Sequence, residues 1–253
     1  ILVMVTAYVT AQMVATGKAF SSFLGMEYAT GVILGSIFII GYTFVGGYKA
    51  ASYTDVVQGV LMLLGLIAVP AAAIYASGGW GEVQSNLALQ DPSLVNMFAF
   101  SDGGKPVLIA VVSFLAIGLP FLGVPQLLTR FMSARDDGEI KKARVASLSM
   151  ALIFTFGAVT AGVVGRALFP GLEDSETIFP VLSNNLFPEV ISGMLLVVVL
   201  SAIMSTVDSL LLLASSSVVR DTYQKIMGST KSDETLSTYG KYITIIIGAV
   251  AVI

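Results

Sequence analysis

Seven stretches of mostly apolar sequence dominate this chain and leave few folds open to it. They are residues 1–17, 29–47, 55–77, 106–130, 145–168, 189–218 and 241–253. A helix needs about 20 apolar residues to cross a hydrocarbon core of roughly 30 Å. The inner five stretches are long enough, and the first and last are partial. In a bilayer all backbone polar groups must be satisfied within the protein, so only helices and closed barrels can span it. Barrel strands alternate apolar and polar at every second residue, whereas these stretches are continuous. The expected class is an all-α integral membrane protein, one transmembrane domain over 1–253. Composition agrees: 56% of residues are hydrophobic and 11% charged, where a soluble domain has roughly a quarter charged.

Basic residues set the expected orientation. Lys49, Arg130, Arg135, Lys141, Lys142, Arg144, Arg220, Lys225, Lys231 and Lys241 flank the segments on one side, and Lys18, Lys105 and Arg166 on the other. The positive-inside rule places the richer set in the cytoplasm. With 16 acidic and 13 dispersed basic residues, no nucleic-acid partner is expected. The chain has no cysteine and no histidine, which excludes disulfides, thiolate or imidazole metal sites and catalysis by either group. The opening "ILVMVTAYVT" and closing "YITIIIGAVAVI" read as cuts inside membrane helices, so the chain is expected to be the middle of a longer protein.

Three places depart from a plain apolar helix. In "AIGLPFLGVPQLLTR", Gly118, Pro120, Gly123 and Pro125 fall within eight residues. Proline removes a helix hydrogen bond, so this segment is either a kinked packing helix or a discontinuous helix lining a substrate site. In "LSAIMSTVDSLLLLASSSVV", Asp208 interrupts a membrane helix, which costs at least ~2.5 kcal/mol at the bilayer centre. Ala202, Ser205, Thr206 and Ser209 share an arc of roughly 100° with Asp208 on its flank. Hydroxyls alone serve as packing between membrane helices; together with a carboxylate they can also supply oxygens to a monovalent cation. In "YTFVGGYKAASYTDVVQGV", Gly46 and Gly47 permit a tight turn, and Thr54 or Asp55 can cap the following helix. Tyr42, Tyr48 and Tyr53 fit an interfacial aromatic belt.

These motifs, "YTFVGGYKAASYTDVVQ", "GLPFLGVPQLLTRFM" and "LSAIMSTVDSLLLLASSSVVRDTY", resemble the sodium:solute symporter family in order and separation. The resemblance is greatest to its sodium/proline and sodium/pantothenate branches. It implies a leucine-transporter-like bundle of two inverted five-helix repeats, with residues 1–77 ending the first and 106–253 forming most of the second. It further implies sodium as the coupling ion, with no other cofactor. Ser205 and Thr206, with the Ala202 carbonyl, would be ligands of the principal sodium site. A second site would draw on Asp55, Ser205, Asp208 and Ser209, although Asp208 stands where some members have serine.

For the solute, the resemblance implies Tyr8 and Pro125 as pocket residues. Ile117 and Phe121 stand where the proline branch has tryptophan and tyrosine, so an indole N–H and a phenol are lost from the groups that would discriminate the ligand. Proline or a related small acid is the expected solute. Proton coupling, or a pantothenate or monocarboxylate carrier of the same fold, is the alternative. Such a protein would be multi-pass in the cell membrane, surrounded by lipid, and not an enzyme. An intramembrane aspartyl protease built on Asp55 and Asp208 is the distant rival; the contexts "YTD" and "STVD" do not match that family's Gly-x-Gly-Asp and Tyr-Asp. A passive channel is disfavoured by the absence of repeated charged rings.

Overall fold

The computed structural model describes residues 1–96, 107–119 and 123–252. Among these the secondary structure is helical: α1 (Leu2–Leu24), α2 (Tyr28–Ala76), α3 (Trp80–Gln90), α4 (Val107–Gly118), α5 (Pro125–Met132), α6 (Asp137–Leu168), α7 (Ile178–Leu186), α8 (Glu189–Ser216) and α9 (Asp233–Val252). Helices α2, α6, α8 with its continuation to Ile226, and α9 are long and apolar enough to cross a membrane. The chain divides into two compact units, residues 1–65 with 183–253, and residues 66–182.

In the first unit, α8 packs against α1 and α9. Val5, Val9 and Met13 recur every fourth residue along α1, so they share one face. They join Ile39 of α2, Ile203, Val207, Leu210, Leu211 and Ala214 of α8, and Ala251 of α9 in one buried cluster. Small residues bring α1 close to the start of α2. A methyl group added at Gly35 would sit 2.1 Å from Thr16 Cγ2, and one at Gly31 would sit 2.8 Å from Phe20 Cβ. Close backbone approach through residues spaced i, i+4 is how helices associate in lipid, where no hydrophobic drive separates helix from acyl chain.

Segments 29–47 and 55–77 form one helical run that is interrupted at Gly47, with φ 61° and ψ −167°. That conformation is essentially restricted to glycine, as the paired glycines led one to expect. The expected cap is not realised. Helix resumes directly after Gly47, and Thr54 lies inside it, its hydroxyl donating to the carbonyls of Ala50 (3.1 Å) and Ala51 (2.9 Å). With no Gly or Pro in "YKAASYTD", nothing stops the helix from starting a full turn earlier than a cap at Thr54 requires.

In the second unit, Val83 and Leu87 are the buried pair of α3, which packs against α6. Gln90 reaches the Arg166 carbonyl at 3.3 Å, and the Arg166 guanidinium donates to the Pro170 carbonyl at 2.7 Å. Asp136 caps α6, accepting from the Glu139 N–H at 2.9 Å, while Glu139 accepts from the Arg135 N–H at 2.9 Å. Segment 106–130 is a broken helix. Helix α4 ends at Gly118, and α5 begins with Pro125 at its first position after an extended Val124 (ψ 115°). Proline there needs no N–H partner, and its fixed φ suits a helix start. Pro120 lies outside the described residues.

Several boundaries move outward from their expected positions: α1 runs on to Leu24 and α6 starts at Asp137. Helix α9 starts at Asp233, and α8 runs on as a π-helix over Ser217–Ile226.

Candidate functional site

The site is built on the middle of α8, where apolar packing fixes one face and leaves another open. Ile203, Val207, Leu210 and Leu211 are buried, whereas Ala202 is exposed and Ser205, Thr206 and Ser209 are half-buried. Ser205 and Thr206 both turn their hydroxyls to the Ala202 carbonyl oxygen, at 3.2 and 3.1 Å. Three oxygens of three different residues thus converge on one point of the open face. Back-bonding to the preceding turn is the ordinary resting state of Ser and Thr in a helix. It also leaves their lone pairs facing outward, available to a cation that finds further ligands elsewhere. Among the described residues no three Asp, Glu, His or Cys side chains gather as a metal site. The donor set, hydroxyl and carbonyl oxygens, suits a hard cation of low charge.

Asp208 turns the other way. It is fully buried, and its Oδ2 accepts from the Tyr42 hydroxyl at 2.6 Å. Oδ1 accepts from Ser209 at 3.3 Å, the same hydroxyl lying 3.0 Å from the Ser205 carbonyl. The Tyr42 hydroxyl oxygen is also 3.4 Å from the Met204 carbonyl oxygen. Asp55 lies two turns into the second half of α2. Gln58, one turn further on, is buried with its Oε1 lacking a hydrogen-bond partner, and its side chain lies beside the Tyr42 hydroxyl.

The structure therefore brings Ala202, Ser205, Thr206 and Ser209 together on one face and places Asp208 on the adjoining buried face with Tyr42. Tyr48 and Tyr53 are exposed, at 46% and 69%, as residues of an aromatic belt would be, whereas Tyr42 is drawn inward. Gln58 and the role of Tyr42 escape a reading of the sequence. The polar Gln58 in "DVVQGV" was the available signal. Of the solute candidates, Tyr8 is 49% exposed on α1 and Pro125 opens α5 in the other unit. Ile117 lies in α4, and its side chain, like the whole of Phe121, falls outside the described residues.

Comparison with known proteins identifies the family. The model of the sodium:solute symporter family matches residues 1–253. The chain belongs to that family. It is 38% identical over 257 residues to the high-affinity proline transporter PutP of Bacillus subtilis, a match covering 100% of this chain and 53% of that protein. It is 39% identical over 236 residues to a sodium/proline symporter of Staphylococcus aureus, covering 92% of this chain and 45% of that protein. The chain thus spans about half the length of the curated relatives it matches. Among solved structures it resembles a Na+-coupled sialic acid symporter in a substrate-bound outward-open state. The TM-score is 0.79 at 22% identity, covering 99% of this chain and 55% of the other. At that identity the likeness carries the fold alone, and it bears out the expected all-α bundle.

Proposed function

We propose that the full-length protein is a sodium-coupled symporter of a small organic solute, with proline the first choice, and that it works by alternating access in the cell membrane. The observation that carries this reading is the convergence of the Ser205 and Thr206 hydroxyls on the Ala202 carbonyl, on the open face of a helix otherwise packed on its neighbours. Family membership and the names of the two relatives support it.

Sodium, as a transported substrate, takes these three oxygens as part of its shell, and other ligands come from elsewhere in the full-length protein. A second ion would use Asp55, Ser205, Asp208 and Ser209. The family resemblance carries over Tyr8, Ile117, Phe121 and Pro125 as solute candidates, and residues 1–77 and 106–253 as parts of the first and second inverted repeats. Binding near the midplane, followed by rocking of one bundle against the other, exposes the site to each side in turn. The membrane potential supplies work of ~2.3 kcal/mol per charge for each 100 mV. No covalent step is needed.

Reconstitution of the full-length protein tests the reading: labelled proline should accumulate in vesicles only under an inward sodium gradient. Uptake of another solute from a panel of pantothenate, monocarboxylates and sugars would redirect the substrate. Accumulation driven equally well by a proton gradient without sodium would refute sodium coupling.

A further inference from the structure

Asp208 is fully buried, and the two hydroxyls it accepts from belong to Tyr42 and Ser209. Its partner on another helix segment, Tyr42, lies in α2 one turn before the break at Gly47. The Tyr42 hydroxyl donates to Asp208 Oδ2 and lies within 3.4 Å of the Met204 carbonyl. It therefore spans a single turn of α8, from residue 204 to residue 208. Ser205 and Thr206 lie inside that turn, with their hydroxyls on Ala202. Any rotation or stretch of α8 that moves these two hydroxyls must also move Met204 and Asp208 against Tyr42.

We infer that Tyr42 is a positioning residue for the sodium site: without touching the ion, it fixes the turn of α8 that presents Ser205 and Thr206 by donating its hydroxyl to Asp208, beside the Met204 carbonyl. This rests on the reading of those residues as sodium ligands. A short hydrogen bond to a carboxylate is among the stronger contacts available to a neutral donor. A partner in an outer shell acts by restricting the geometry of the inner one. Substitutions that couple to a site without contacting its ligand shift affinity by about 2- to 30-fold.

The test uses the full-length protein in proteoliposomes. Tyr42→Phe keeps the ring, whose centroid lies 6.4 Å from that of Phe38, and removes the hydroxyl. Half-maximal sodium should rise about 2- to 30-fold, with the maximal uptake rate, and the half-maximal solute at saturating sodium, staying near wild type. A purely structural role would lower the amount of folded protein and the maximal rate while leaving half-maximal sodium in place; that result, or no change at all, overturns the inference.

The single substitutions of a second arm leave Tyr42 intact and so survive a Tyr42→Phe protein that does not fold. Asp208→Asn still offers an oxygen to the phenol and Asp208→Ala does not, so the alanine variant should shift half-maximal sodium further. Equal shifts overturn the inference. Adding Tyr42→Phe to Asp208→Ala should add less than about 2-fold, because the hydrogen bond between them is already lost; additive shifts contradict it. Ser205→Ala and Thr206→Ala, run alongside, separate the two claims. If they shift half-maximal sodium and Tyr42→Phe does not, only the positioning role falls; if they do not shift it, the sodium-site reading falls.

Discussion

Gly47 offers a perturbation whose effect comes from the backbone alone. Its φ of 61° and ψ of −167° lie in a region that residues with a Cβ avoid, at a cost of about 1–3 kcal/mol for a forced occupant. An added Cβ would meet no atom within 4 Å, so crowding contributes nothing to that cost. Gly41 is the matched control. It also has no atom within 4 Å of a built Cβ, lies inside the same helical run and has no positive φ. Alanine at a helical glycine of this kind should stabilise by about 0.5–1 kcal/mol. Gly47→Ala and Gly41→Ala should therefore differ by about 1.5–4 kcal/mol, the former less stable than wild type and the latter at least as stable. Unfolding of the full-length protein in mixed micelles of rising dodecyl sulfate fraction, followed by loss of helical circular dichroism, measures the difference. If Gly47→Ala unfolds with Gly41→Ala, the break in α2 does not depend on a glycine conformation and the reasoning is wrong.

Other outcomes follow from the packing and the orientation. Gly35→Leu should weaken the docking of α1 on α2 by about 1–3 kcal/mol, because even its Cβ would overlap the buried Thr16 methyl; wild-type thermal stability for this variant would rule out the close approach. Because the chain lacks native cysteine, single cysteines at Ser93 and Ser229, placed in the full-length protein on a cysteine-free background, should label selectively. Ser93→Cys should react with an impermeant maleimide from outside, and Ser229→Cys only after permeabilisation. External labelling at position 229 would invert the topology.

The middle of α8 was legible because its chemistry is local. A carboxylate and clustered hydroxyls in an apolar run are conspicuous, and helical periodicity alone puts Ala202, Ser205, Thr206 and Ser209 on one face. The break at Gly47 and the division between α4 and α5 were legible for the same reason, since Gly and Pro act on their own backbone. What lay hidden depends on partners distant in sequence. Tyr42 at the end of an apolar segment has the profile of a belt residue, and only the packing of α8 against the first half of α2 brings its hydroxyl to Asp208, 166 positions away. Thr54 resembles a cap until the preceding turn proves helical. The π-helix over Ser217–Ile226 has no periodicity of its own to read, whereas the earlier start of α9 was readable: the Thr235 N–H bonds the Ser232 hydroxyl at 3.4 Å, and Asp233 and Glu234 fill the first turn.

The central claim is that the oxygens meeting at Ala202 hold the coupling ion, and sodium activation of uptake by Ser205→Ala and Thr206→Ala tests it most directly. Each substitution removes one hydroxyl and leaves the helix backbone unchanged. Losing a polar ligand of this kind costs on the order of 1–3 kcal/mol, so half-maximal sodium should rise about 5- to 150-fold. Because ion and solute affinities are linked reciprocally, apparent solute affinity should fall at limiting sodium and recover at high sodium. Ser217→Ala, at the start of the π-helix beyond the site, should keep the wild-type sodium curve. Wild-type sodium activation in both the Ser205 and Thr206 variants, at normal expression, would reduce the hydroxyls to helix packing and contradict the account.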